Sequence, residues 1–107
     1  MAGGAVAELI DALADDPQVR REAIEVLRWL GSEAGPSVPL LVNLALKDTD
    51  RVLAARAILR IDPTGVGTAE AVKDEASRKS LISLLRSLGI EARRFRVDLE
   101  SQWARAN

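Results

Sequence analysis

Arginine is the only side chain that this sequence holds in quantity and that can do specific chemistry. Of the 107 residues, twelve are arginine and three are lysine, while histidine, cysteine and tyrosine are absent. Without them the chain has no thiolate or imidazole metal site, no cysteine nucleophile and no histidine base. The tightest pair of carboxylates, Asp15-Asp16, stands directly before Pro17. A turn that caps the next helix accounts for it better than acid–base catalysis does. Gly65-Val66-Gly67 lacks the preceding strand and the lysine of a phosphate-binding loop, and no serine precedes a lysine by three. The expectation is a protein that is not an enzyme and uses neither metal nor cofactor.

Guanidinium groups serve recognition as well as catalysis. Arg93, Arg94 and Arg96, interrupted by Phe95, form a basic and aromatic cluster that would suit nucleic acid. The formal net charge of −1 and a pI near 5.5 weigh against that, because nucleic-acid modules are commonly strongly basic. A solvated face of a terminal helix is the simpler account of the cluster. Charge is nonetheless uneven: residues 1–50 sum to −5 and residues 51–107 to +4. Such asymmetry suits a partner-facing basic end or head-to-tail self-association. No apolar run is long enough to span a membrane and no basic segment precedes an apolar one at the start, so the expected location is cytoplasmic.

The elements that must position these arginines follow from a helical period. Val6, Leu9, Ile10 and Leu13 recur at spacings of three and four, predicting a helix over 5–14. Pro17 opens a second helix, 17–31, with Val19, Ala23, Val26, Leu27 and Leu30 on one face and Gly31 as a left-handed cap. Ser32 to Pro36 reads as a turn. A third helix covers 37–47, and Asp48-Thr49-Asp50 offers side-chain oxygens to cap a fourth, 50–61. That fourth helix is apolar around most of its girth, which makes it the central element. After the loop at Asp62–Gly67, Thr68 and Glu70 are placed to cap a helical stretch from 68 to 88, with a break near Ala76-Ser77 and an end at Gly89. In the tail, Phe95, Leu99 and Trp103 make one helical stripe; alternation around Phe95, Val97 and Leu99 would suit a strand, but an all-helical body offers no sheet to join.

The chain also repeats itself. A shift of 31 residues lays Leu9 on Leu40, Leu13 on Leu44, Arg20 on Arg51, Ala23 on Ala54, Leu27 on Ile58 and Leu30 on Ile61. A shift of 58 lays 24–31 on 82–89 with five identities in eight positions. One helix pair cannot bury its own apolar face, whereas stacked pairs share a core. Residues 5–31 and 36–63 resemble HEAT repeats, particularly the short type named after the phycobilisome lyases. The features that carry the resemblance are the Asp/Pro turn, Val19-Arg20, Ala23, Leu27 and Leu30. The second unit departs from the pattern in having Asp50 where a valine is expected before Arg51. The third unit matches in its second helix alone. The resemblance implies an all-α fold: a short right-handed α-solenoid of about three stacked hairpins. It forms a single domain over 1–107, with units at 5–31, 36–63 and 68–89 and a C-terminal capping helix at 90–105. No catalytic residue of the lyases maps onto this chain.

In such stacks the second helices line the concave, partner-binding surface. Helical spacing puts Arg21, Glu25 and Arg28 on that face, and the repeat offsets carry them to Val52, Arg56 and Leu59, then to Lys79, Ser83 and Arg86. Trp29 stands beside the stripe, at the position of Arg60 in the second unit, as an aromatic anchor. Arg20 and Arg51 are expected to hold the inter-helix turns, through the acids at 15–16 and 48–50. The expected function is therefore protein–protein interaction without catalysis. The alternatives are a nucleic-acid-binding module using the basic second half, self-association through an exposed end, and a piece of a longer array.

Overall fold

The Asp16-Pro17 step divides the first two helices as its chemistry requires. In the computed structural model, which describes residues 2–47 and 50–106, α1 spans Ala2–Ala12 and α2 spans Pro17–Leu30. The Asp16 carboxylate accepts the Val19 N–H at 3.1 Å, and Pro17 fills the first helical position, where no N–H is needed. Gly31 ends α2 at φ +66° and ψ −135°, a positive-φ turn but not the left-handed cap expected, and its N–H returns to the Arg28 and Leu27 carbonyls. The core face of α2 is Ala23, Ile24 and Leu27. Val26 is not part of it: the side chain expected inside is 44% exposed.

Residues 31–37 differ from the expected turn. They form a 3₁₀ segment, Gly31–Ser37, with Ala34 and Ser37 buried and the Ser37 hydroxyl donating to the Ala34 carbonyl at 2.6 Å. The segment packs against all of its helical neighbours, α1 and α2 before it and two helices after it. A linker covered on several sides must satisfy its own backbone groups, and a 3₁₀ coil does so.

Those two following helices are α3, Val38–Leu46, and α4, Arg51–Ile61. On α4, Ala54, Ala55, Ala57, Ile58 and Ile61 are all buried, and the helix touches α2, α3 and the 3₁₀ segment. It is the central element that its apolar girth predicts. The next stretch is two helices, α5 (Val66–Ala71) and α6 (Glu75–Ser87), and α6 also packs on α4. The break falls at Val72–Asp74, earlier than the expected Ala76-Ser77. The Asp74 carboxylate accepts the Ser77 N–H at 2.9 Å and caps α6. Ser77 thus marks a helix start and not a kink. Thr68 does not act as a cap either. Its N–H and hydroxyl both donate, at 2.8 Å, to the carboxylate of Asp62, which ties the loop to the start of α5.

Gly89, at φ +70°, turns the chain into α7, Ile90–Ala106. The helical stripe of Phe95, Leu99 and Trp103 is buried together with Ala92, and α7 packs on α5 and α6. Among the described residues every regular element is helical. α1 pairs with α2 and α3 with α4, and α2, α4 and α6 stand side by side in that order. One aliphatic core runs through all of them, from Ile24 and Leu27 through Leu41 and Ile58 to Leu81, Leu85 and Leu99.

Candidate functional site

Three arginines open the second helices, and their work is structural. Arg20 and Arg51 are related by the 31-residue shift, and the 58-residue shift carries Arg20 to Arg78. Arg51 donates through Nε to the Ala45 carbonyl at 3.3 Å, and Arg78 does the same to Val72 at 3.2 Å, each reaching back six residues to the preceding first helix or its end. Arg20 is the exception. It does not bind Asp15 or Asp16, as expected, but reaches forward to the next unit, where Asp50 Oδ2 accepts from its Nε at 2.9 Å. Arg21 joins it, with Nε at 3.1 Å from Asp50 Oδ1.

Asp50 is therefore not the side-chain cap that the sequence suggests. It stands at the N-cap position with a left-handed backbone, φ +56°, and makes no side-chain bond to α4. Its carboxylate is turned toward α2. Asp48 and Thr49 lie outside the described residues. Burial works against the ionised Asp50 carboxylate. The hydrogen bonds and charges of Arg20 and Arg21 outweigh it, and hold the group below the ordinary aspartate value. With only 12% of the Asp50 side chain and 14% of that of Arg20 exposed, the clamp fixes α2 to the start of α4.

The remaining stripe residues divide into two groups. Arg28, Arg56 and Arg60 come together, with Leu59 and Glu91, around an open hollow of about 190 Å³ between α2, α4 and the start of α7. Glu91 Oε1 accepts from Arg56 Nε at 2.7 Å. Arg28 faces Glu25 at a loose 3.9 Å, and Arg60 has no carboxylate within ion-pair distance among the described residues. The hollow is thus positive overall. Glu91 could not be foreseen as a member, because nothing in the repeat pattern says where the tail crosses α4.

Lys79 and Arg86 face elsewhere. They line a groove of about 730 Å³ between α6 and α7, with Trp103 and Glu100 on its other side. Ser83 borders both this groove and a trough of about 750 Å³ between α4 and α6 that also takes in Val52 and Arg56. Inside the α6–α7 groove the Arg78 guanidinium lies 5.0 Å from the Trp103 ring centroid, and Trp103 Nε1 donates to the Ala69 carbonyl at 3.2 Å. Lys79 is paired along its own helix with Glu75 at 3.7 Å.

Trp29 lines none of these hollows. It projects from α2 with 82% of its surface exposed, and Val26, one turn earlier, is exposed beside it. An i, i+3 pair of apolar side chains on one helix face forms a contiguous patch, bordered by Glu25 and Arg28. Its apolar partner Val26 was missed because the period assigned Val26 to the core.

No curated protein and no solved structure matches the chain. Residues 3–62 match a family model described as HEAT repeats. That span takes in α1 to α4 with the structural arginines Arg20 and Arg51 and the central helix. The chain belongs to the HEAT-repeat family.

Proposed function

We propose that the chain is a non-catalytic docking module that binds another protein across the exposed side of its second helices. The reading takes the helix pairs as short HEAT-type units stacked with a right-handed step, α7 closing the third. The observation that carries it is Trp29: a large aromatic left 82% in water, whereas the other two aromatics of the chain, Phe95 and Trp103 on α7, are buried. Exposed aromatics next to arginine are the side chains that most often anchor protein interfaces. Val26 extends the apolar contact, and the positive hollow of Arg28, Arg56 and Arg60 supports a partner with an acidic segment beside its apolar one.

The nucleic-acid reading is weaker, since two of the three clustered cations are engaged within α7: Arg94 with Asp98 at 3.4 Å and Arg96 with Glu100 at 2.8 Å.

Affinity capture with the full chain, side by side with an Arg28→Ala/Trp29→Ala double variant, tests the proposal. Proteins retained by the wild type and lost by the variant, at unchanged circular dichroism, are the expected result. Identical captures would overturn the assignment of this surface.

A further inference from the structure

The outward face of α7 carries charge that its own helix leaves over. Ile90, Arg93, Arg94, Val97, Ala104 and Arg105 are exposed and fall on the side opposite the buried stripe. Ile90 and Val97 are 88% and 46% exposed, seven residues apart on one seam with Ala104. Arg93 and Arg105 flank that seam with no carboxylate in ion-pair distance among the described residues, and Arg94 has only Asp98. A closing helix of a repeat stack needs a polar outer face, but it does not need an exposed isoleucine set among arginines.

The other end of the molecule has the opposite character. α1 packs on α2 and the 3₁₀ segment, and its free side presents Ala5, Ala7, Glu8 and Asp11, with Asp15 just beyond. Residues 1–19 contain no lysine or arginine. Glu8 and Asp11, three apart, therefore form an acidic line with no cation in ion-pair distance among the described residues. Exposed Gly4 on the same line, and Ala5 and Ala7 to either side of it, are small enough to let a second helix approach to about 8–10 Å between axes.

We infer that the α7 face of one copy docks on the α1 face of a second copy, with Arg93 and Arg105 meeting Glu8 and Asp11 and with Ile90 and Val97 covered against the alanines. The charges of the two surfaces are complementary, and neither surface is complementary to itself. The contact is heterologous: each copy keeps one free face of each kind, so copies add in rows unless the rotation closes a ring. This contact uses neither Trp29 nor the arginine hollow, so it stands or falls apart from the docking reading above.

Sedimentation velocity of the 107-residue chain tests it. The expected result is a mass that rises beyond the dimer with concentration at low salt, with association weakened more than about tenfold at about 0.5 M salt. Glu8→Lys/Asp11→Lys and Arg93→Glu/Arg105→Glu should each remain monomeric, and their equimolar mixture should associate again. If a double variant loses its helical circular dichroism, Val97→Glu carries the same test at a half-exposed position. A wild type that stays monomeric at about 1 mM in low salt, or stops at a dimer, overturns the inference. So does undiminished association of either charge-reversed variant alone, or a short DNA duplex that binds wild type and not Arg93→Glu/Arg105→Glu while the chain remains monomeric.

Discussion

α3 and α5 pack on each other, yet α3 runs nine residues and α5 six. α3 buries Val38, Leu41, Val42 and Ala45, whereas α5 itself buries Thr68, followed by Val72 just beyond its end. The missing surface is made up by a helix far along the chain. α7 lays Phe95, Leu99 and Trp103 into the core and holds α5 by polar contacts as well. Trp103 donates to the Ala69 carbonyl and Gln102 Nε2 donates to the Thr64 carbonyl at 2.6 Å. Where a hairpin is followed by another hairpin, the repeat pattern alone builds the core. Where α5 buries little of its own, a helix outside the pattern completes the core.

The comparison breaks most readily at Trp103. Truncation to alanine removes a side chain 7% exposed, together with its bond to α5 and its contact with Arg78, and is expected to cost about 3–5 kcal/mol. Urea unfolding followed by far-ultraviolet circular dichroism measures it. If α7 completes the core, the loss appears as a shifted single transition. A separate early transition of the C-terminal helices, with the remainder as stable as before, would show that the regular part folds alone.

Between the regular units the clamp at Asp50 is the next largest effect. Asp50→Ala strands Arg20 and is expected to cost about 1–3 kcal/mol, with Arg20→Ala close to it and the double variant well short of the sum. The pH dependence has a fixed sign. A carboxyl whose folded value lies below the ordinary 3.8 adds stability that is present above that value and is lost as pH falls through the folded one. Asp50→Asn should therefore flatten the acid limb of the stability profile below about pH 4 and leave the neutral slope unchanged.

Sequence legibility follows the same division. Helix periods, the Asp16-Pro17 start, the central α4 and the α7 stripe are local or periodic signals, and they stand in the sequence in plain form. The destination of a long polar side chain is not local. Arg20 could reach back to Asp15 or forward to Asp50, and only the packing of α2 on α4 decides for Asp50. The break before α6 depends on Asp74 capping Ser77, one of several competing cap positions. Val26 shows the limit of a period: next to Leu27, it falls at the edge of the stripe, where a rotation of a few tens of degrees moves a side chain from core to water. Of the candidate site, the sequence placed the arginines on the right helices but could not divide them among three hollows.

Two glycines sharpen the contrast at a smaller scale. Gly31 closes the first unit at φ +66° in open space, and Gly65 opens α5 at φ +77° beneath α7. A Cβ at residue 65 would stand 3.4 Å from Gln102 Nε2 and 3.7 Å from Leu99 Cδ1. Gly65, with ψ 5°, is left-handed, a strain of about 1–2 kcal/mol for alanine, whereas Gly31, with ψ −135°, lies outside that region, where a strain of about 1–3 kcal/mol applies. Gly31→Ala should cost more than Gly65→Ala, because the methyl added at residue 65 meets α7 only at ordinary contact distances. A larger loss at Gly65 in thermal melts would mean that α7 cannot accommodate the added methyl.

The smallest expected effect is at the other tryptophan. Trp29 and Trp103 share a side chain but differ from 82% to 7% in exposure, so the same substitution asks opposite questions of the two regions. Trp29→Ala uncovers no core and breaks no hydrogen bond, so its stability change should stay within about 0.5 kcal/mol. The fluorescence of the Trp103→Ala chain, in which Trp29 is the sole tryptophan, should be red and readily quenched by iodide, and Trp29→Ala should leave a bluer, protected emission from Trp103. Conversely, a loss above about 1 kcal/mol at Trp29 would make it a packing residue and move the anchor of the docking face to the arginines of the hollow.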